Sequence, residues 1–248
     1  MAGPEEGVID RPHVSPWLLW AAMHHARLAK RIEQLRPDGH PHPFLEHRAY
    51  VIASLTATAS FIESFINEVF QDVVDQADGR MGADFNRTVT APLSDATRRP
   101  MIEYWAKTNA GFSKTLEKYG QLLKCAGTSP LDPAVRADAQ LVLDIRNTLL
   151  HYRPEDNFRA DKALRLEAEL TRRKVPPNPL VGPNPRAYWP EHALGSGMAG
   201  WAAKSAVALT DTTCLAVGIN PAYAIQKQYL WSENPPGTCE AESRIRRP

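Results

Sequence analysis

Residues 144–153 bring together the side chains of this sequence that are best suited to proton transfer and anion binding. An arginine, an amide and a histidine (Arg146, Asn147 and His151) occur there within six positions, in the last two turns of a predicted apolar helix. A buried polar group that lacks a partner costs roughly 1–3 kcal/mol, so an apolar helix rarely carries such groups without one. The sequence therefore predicts partners for these three side chains.

The spacing within this segment restricts which side chains can meet. Asn147 and His151 are four residues apart, so they lie on one face of a helix and can hydrogen-bond. Arg146 is five residues from His151, which places it about 140° round an ideal helix. Arg146 must therefore curl its side chain round the helix, or meet a histidine from a second copy of the same helix.

A purely structural role accounts for the same residues. His151 and Arg153 complement the negative end of a helix dipole, and Asn147 can satisfy a backbone carbonyl group. Basic residues in the last turn of a helix are common. The chemical and the structural interpretations both remain open on these residues alone.

The helices that must position these residues are delimited by proline. The chain has 248 residues and 21 prolines, which leave long windows without proline. Proline lacks a backbone donor and clashes with the preceding turn, so it marks helix ends. With apolar residues at helical spacing, the windows predict helices over about 15–36, 51–73, 100–127, 134–152, 155–175 and 191–218. The predicted fold class is all-α, a bundle of about five to six helices with proline-rich connectors, in which 79–99 is a polar loop and 176–190, with six prolines, an extended connector.

Two helices receive specific predictions about burial. In the first, an apolar stripe at spacings of three and four is expected to face the core; it consists of Leu18, Ala21, His25, Leu28, Ile32 and Leu35. The helix over 134–152 is apolar almost all round, which is typical of a central helix in a bundle. Asp132 and Pro133 form its start signal, a capping side chain followed by proline.

Composition excludes several classes of protein. The net charge is +1, so no global basic field attracts nucleic acid, and any such contact requires a local patch. Three scattered cysteines form neither a disulfide framework nor a zinc knuckle. We find no secretory signal and no run of 18 apolar residues. The expectation is a cytoplasmic protein that does not enter a membrane.

The segment from Arg146 to His151 resembles the R-x4-H motif of the HEPN superfamily, in which a polar residue often follows the arginine. The surrounding sequence is similar as well: a long helix over 53–70, Lys118 and Tyr119 on a later helix, and a proline shortly after the motif. The resemblance covers roughly residues 44–220. A tyrosine lies two positions after the histidine in some members, whereas here Tyr152 follows His151 directly.

The resemblance implies a helical bundle that dimerises with both motif helices facing one cleft. Many members are metal-independent ribonucleases. By this analogy His151 exchanges a proton with the ribose 2′-OH or the leaving 5′-oxygen, Arg146 binds the scissile phosphate, and Asn147 orients them. Partners would be RNA, a second copy and a separate antitoxin or regulator, as in a toxin or defence effector. The superfamily also includes catalytically inactive scaffolds and nucleotide- or partner-binding modules, which remain the alternative.

Three further residues are candidates for a supporting role around the motif. Glu63 and Asn67 share one face of the long helix and could line the same cleft, although a solvent-facing pair needs no function. Tyr152 is the third.

No cofactor and no metal are expected. His40, His42, Glu46 and His47 carry metal-ligating side chains, but these histidines alternate with prolines and have no matching pair downstream. His24 and His25 are interpreted as core or interface histidines.

The predicted domain organisation has three parts. Residues 1–43 form an N-terminal segment with one helix, residues 44–220 the HEPN-like helical domain, and residues 221–248 a flexible tail.

Overall fold

In a computed structural model, the chain is described for residues 12–35, 43–79, 90–107, 114–151, 161–181 and 188–224. These residues form seven α-helices and one short π-helical turn at Tyr188–His192, without a strand among them. The all-α prediction is confirmed. The helices are α1 (Ser15–Leu35), α2 (Pro43–Ala77), α3 (Asp95–Lys107), α4 (Thr115–Cys125), α5 (Pro133–Leu150), α6 (Asp161–Arg172) and α7 (Ser196–Val217).

Helix α2 is the centre of the bundle and packs against α1, α3, α4, α5 and α7. Its apolar side chains recur at helical spacing from Val51 to Val73, and Phe61, Phe65 and Phe70 are fully buried. Burial of a phenylalanine side chain contributes roughly 1.5–3 kcal/mol, so this row of aromatic residues stabilises the whole bundle.

The buried face of α1 differs from the prediction. Leu19, Ala22, Met23, Ala26 and Ala29 face the core, and the stripe predicted from Leu18 to Leu35 lies beside them, half-buried, with Leu35 itself exposed. Small alanines allow α1 to lie close against α2 and α7, and this close packing outweighs the burial of larger side chains on the neighbouring face.

The helix predicted over 100–127 is two helices, α3 and α4. Proline does not begin α3: Pro100 lies inside it, and the helix starts five residues earlier at Asp95. The Ser94 hydroxyl accepts a hydrogen bond from the Thr97 amide at 3.3 Å, which is the N-cap that the prediction missed. The part of the predicted 79–99 loop from Asp95 onward is therefore helical.

Helix α5 begins as predicted, because the Asp132 carboxylate accepts hydrogen bonds from the amides of Ala134 and Val135 at 2.6 and 3.4 Å. It is not the central helix, however. Leu141, Val142 and Ile145 are buried, whereas the opposite face, with Gln140 and Asn147, is exposed. One face of α5 is thus free for other contacts.

Two carboxylates from distant parts of the chain cap helix starts. Glu33 of α1 accepts hydrogen bonds from the amide and hydroxyl of Ser196, the first residue of α7, at 2.7 and 2.5 Å. Glu68 of α2 accepts hydrogen bonds from the amide and hydroxyl of Ser15, at 2.9 and 2.5 Å. The positive end of the helix dipole lies at the N-terminus and stabilises a negative charge placed there. These caps tie α1 to α7 and α2 to α1.

The buried core extends past residue 220, where the flexible tail was predicted to begin. Tyr223 falls in the segment expected to be a flexible tail, yet it is fully buried and packs edge-on against Phe61. Its hydroxyl donates to Asp211 at 2.9 Å. Helix α1, assigned to a separate N-terminal segment, shares the core cluster with α2 and α7. The division at residues 43 and 220 stays a prediction.

Helix α2 also has the length and composition of a membrane span. Between Phe44 and Ala77, one 18-residue window has a mean hydropathy of 1.4, and half of it is buried inside the bundle. Core helices of soluble proteins have the same properties, so the expected localisation stays a prediction.

Candidate functional site

Helix α2 carries four polar residues, Glu63, Asn67, Gln71 and Asp75, at intervals of four on an otherwise largely apolar surface. Residues four apart on a helix lie above one another. We name this set the polar row. Gln71 and Asp75 are hydrogen-bonded within the protein. Gln71 donates to Asp75 at 2.8 Å and accepts a hydrogen bond from the Trp105 indole at 3.0 Å.

At one end of the polar row, Glu63 contacts the motif arginine. The Arg146 guanidinium on α5 donates a hydrogen bond to Glu63 and forms an ion pair with it. The Arg146 side chain is only 19% exposed and that of Glu63 39%. Arg146 Nε is buried and has no acceptor among the described residues. The fold thus holds Arg146 against α2, with part of its hydrogen-bonding capacity unused.

The next position of the polar row contacts a lysine. Lys118 on α4 donates to the Asn67 side-chain oxygen at 2.7 Å, and its ammonium group lies 5.6 Å from the centre of the Trp105 ring. Lys118 is only 3% exposed. Burial lowers the pKa of Lys118, and the negative charge of Glu63 raises it, with a net shift below the ordinary value.

The charges around Glu63 and Asn67 do not balance. Arg146 and Lys118 supply two positive charges and Glu63 one negative charge, while Asn67 is neutral. One positive charge is therefore in excess at this end of the polar row, while Asp75 carries a second negative charge about two turns beyond Asn67. Such an excess at a half-buried position attracts anions, because the local dielectric constant is lower than that of water.

His151 is exposed and terminates α5. Its amide donates to the Asn147 carbonyl at 3.0 Å, and its backbone leaves the helical conformation at φ −108° and ψ 39°. Asn147 is exposed as well. Among the described residues, no hydrogen bond joins the Asn147 and His151 side chains. Within one chain, the structure therefore brings Arg146 to Glu63 and leaves His151 and Asn147 open to solvent; Tyr152 lies outside the described residues.

Near the start of α2, two side chains that could bind a metal form hydrogen bonds within the protein. His47 is fully buried, and its Nε2 atom lies 2.7 Å from Glu33 Oε1, while the exposed Glu46 accepts a hydrogen bond from Tyr50 at 2.9 Å. His40 and His42 lie outside the described residues. In the part of the chain that the structure describes, no three His, Cys, Asp or Glu side chains form a metal-binding group.

A surface cavity of about 390 Å³ lies between the end of α2 and α3. Gln76, Asp95, Arg98 and Glu103 are among its lining residues, and none of the candidate site residues lines it. Charged side chains alternate with Ala77 and Ile102 in its lining, and they belong to neither the motif nor the polar row.

Lys118, Gln71 and Asp75 are the members of this polar cluster that were not predicted as site residues. The signal for Gln71 and Asp75 is present in the sequence: they continue the four-residue spacing of Glu63 and Asn67 along an apolar helix. Lys118 has no such spacing signal, because its partner lies 51 residues away on another helix, and the sequence singles it out only as part of the context of the resemblance.

Comparison with known proteins provides no further assignment: no family model, no curated protein and no solved structure matches the chain. The resemblance to the HEPN superfamily therefore rests on the motif and its sequence context.

Proposed function

We propose that this protein is a metal-independent endoribonuclease of the HEPN type, acting in the cytoplasm as a homodimer and serving as a toxin or defence effector under a separate antitoxin or regulator. The observation that carries the proposal is the placement of an exposed His151 at the end of α5 and a half-buried Arg146 on the same helix, with Lys118 of α4 adding a second positive charge near Glu63.

The proposed reaction uses the ribose 2′-OH as the nucleophile. The 2′-oxygen forms a bond to phosphorus while the bond from phosphorus to the 5′-oxygen breaks, which leaves a 2′,3′-cyclic phosphate and a free 5′-OH. One His151 accepts the proton of the 2′-OH, and His151 of a second copy donates a proton to the 5′-oxygen. Arg146 stabilises the charge that develops on the phosphate oxygens.

Glu63, Asn67 and Lys118 support this arrangement as positioning residues. Glu63 fixes the direction of the Arg146 side chain, and a fixed guanidinium stabilises a transition state without reorganisation. Lys118 supplies the additional positive charge next to it. Asn147, exposed on the same helix as His151, orients the histidine or the substrate.

A catalytically inactive dimeric scaffold, or a module that binds a nucleotide or a protein partner, is the second candidate. One specific observation favours it: Glu63 already engages Arg146 within a single chain. In this alternative, Arg146 and Lys118 join α2, α4 and α5, and the exposed face of α5 forms an interface.

The decisive experiment is a cleavage assay with single-stranded RNA in EDTA. Wild-type protein is expected to produce fragments with 2′,3′-cyclic phosphate ends, and His151→Ala and Arg146→Ala to lose at least about 100-fold in rate. Arg136 is an exposed arginine on the same helix, so Arg136→Ala is the matched control and should cleave like the wild type.

Equal cleavage by wild-type and His151→Ala protein would refute the catalytic proposal. If neither cleaves, and Arg146→Ala shifts the monomer–dimer balance in sedimentation, the scaffold is the correct function. A wild type that is monomeric at all concentrations contradicts both the ribonuclease and the dimeric scaffold, because each of these requires two copies.

A further inference from the structure

The outward face of α1 carries two tryptophans that the bundle does not bury. Trp17 is 61% exposed and Trp20 is 45% exposed, whereas Leu19, Ala22 and Ala26 on the opposite face are buried. Large aromatic side chains at the surface lose favourable burial, and clusters of them mark interaction sites. This helix face is therefore a candidate interaction surface.

The two tryptophans belong to a line of planar and basic side chains. At 3.6 residues per turn, an arc of about 80° contains Trp17, Trp20, His24, Arg27 and Arg31. We name these five residues the aromatic–basic strip. It extends over about 21 Å of helix at 1.5 Å per residue.

The rings in this region are arranged in contact with one another. Trp20 and His24 stack with their centroids 4.8 Å apart and their planes 9° from parallel. His25 follows edge-on to His24, and Tyr50 of α2 stacks on His25 at 5.8 Å. Nucleobases bind to such ring surfaces by stacking, and they do so with little dependence on sequence because every base has a flat aromatic face.

The charges on this side of α1 are positive. The helix contains three formal cations, Arg27, Lys30 and Arg31, and a single carboxylate, Glu33. Glu33 lies about 160° from the centre of the strip and is bonded to His47 and Ser196. The strip thus combines two cations, Arg27 and Arg31, with flat rings, while Lys30 lies outside its arc; the exposed carboxylate of Glu46 on α2 is hydrogen-bonded to Tyr50 at the edge of the ring array.

We propose that the aromatic–basic strip binds single-stranded nucleic acid, with bases stacked on the tryptophans and phosphates paired with the arginines. A protein partner would have to offer carboxylates to the arginines as well as an apolar surface to the tryptophans. A single strand of nucleic acid carries both complements in every nucleotide, a phosphate for an arginine and a flat base for a ring. A length of about 21 Å accommodates about six nucleotides at 3.4 Å each. Naming this strand as RNA substrate rests on the proposed ribonuclease function; binding itself does not.

Binding can be measured separately from cleavage. Fluorescence anisotropy with a labelled 12-residue 2′-O-methyl oligouridine reports affinity, and this probe lacks the 2′-OH that cleavage requires. Trp17→Ala/Trp20→Ala is expected to weaken binding by at least about 25-fold, since loss of one stacked ring costs at least about fivefold. Leu215→Ala removes an exposed side chain of α7, itself 85% exposed, and is the matched control with unchanged affinity.

The contribution of charge has its own measurement. Each phosphate contact on a single strand adds about 0.7 to the slope of log affinity against log salt concentration. Arg31→Gln should lower this slope by about 0.7 and keep the preference for single-stranded over double-stranded probes. A wild type that binds the probe but does not cleave single-stranded RNA would refute the ribonuclease and leave the strip intact.

Three results would overturn the proposal. They are the absence of binding by the folded wild type, equal affinity of wild type and Trp17→Ala/Trp20→Ala, and a double variant that loses only dimerisation in sedimentation. The last result would assign the strip to a second copy of the chain. Because both tryptophans are exposed, the double variant should melt within a few degrees of the wild type, which circular dichroism checks.

Discussion

The Arg146 guanidinium on α5 is hydrogen-bonded to the Glu63 carboxylate on α2, 83 positions earlier in the chain. This pair connects the motif helix to the central helix of the bundle. It also determines where the arginine points, and the same carboxylate acts on the buried Lys118 of α4. One glutamate of α2 therefore interacts with a charged group on each of α4 and α5.

Removal of the Glu63 carboxylate should destabilise the protein measurably. In Glu63→Ala, the half-buried Arg146 loses its partner, which we expect to lower the free energy of unfolding by about 1–2 kcal/mol. Glu63→Gln keeps an oxygen that accepts the hydrogen bond and should lose less. Urea unfolding measures both. Glu103→Gln, whose ion pairs with Arg99 and Lys107 are exposed, is the control and should change little; an equal loss in the control would contradict the role of Glu63.

The titration of Lys118 reports on the same carboxylate. Burial lowers the pKa of Lys118 and Glu63 raises it, so Glu63→Gln should lower this pKa further. Carbon-13 NMR of labelled lysine side chains measures the shift. Glu117→Gln removes an exposed carboxylate next in sequence, one paired with Lys114, and should leave the Lys118 titration in place. An unchanged pKa in Glu63→Gln would show that the two groups do not interact.

The contact between α1 and α7 should weaken in acid. Burial raises the pKa of Glu33, but hydrogen bonds from His47 and Ser196 lower it, and the net direction is below the ordinary value of 4.5. The unfolded chain therefore binds this proton more readily than the folded one. The ionised Glu33 carboxylate therefore stabilises the folded protein above about pH 4.5. This stabilisation is lost as the pH falls through the lower pKa that Glu33 has in the folded state.

Glu33→Gln tests this pH dependence. Its unfolding free energy should be lower than that of the wild type at pH 7, and the difference should shrink as the pH falls below the ordinary carboxyl pKa. Urea unfolding at a series of pH values measures both curves. Parallel curves for the two proteins would mean that Glu33 has the same pKa folded and unfolded.

Two glycines near the start of α7 should respond to alanine in opposite directions. A Cβ atom at Gly195 would lie 2.8 Å from Asn178 Cα, a backbone atom that cannot move aside easily. Gly195→Ala should therefore cost about 1–3 kcal/mol. Gly200 lies inside α7, whereas Gly195 precedes it; open space surrounds the position of an added methyl group at Gly200, so Gly200→Ala should gain about 0.5–1 kcal/mol. Thermal melts compare the two; destabilisation by both would indicate that α7 tolerates no added methyl group.

Much of the fold is predictable from local signals. Asp132 and Pro133 mark the start of α5 because a side-chain cap acts within three residues of its helix. Ser94 acts in the same way at α3, although Pro100 is the more conspicuous residue and suggests a later start. The predicted spacing of Glu63 and Asn67 on one face of α2 agrees with their adjacent contacts in the structure.

The sequence by itself determined the all-α class, most helix positions and the location of Arg146, Asn147 and His151 at the end of one helix. Only the tertiary structure decided which face of α1 is buried, that Arg146 meets Glu63, and that Lys118 meets Asn67. The physical reason is range. Caps and helical periodicity act over a few residues, whereas these pairs join positions 83 and 51 apart and depend on how whole helices pack.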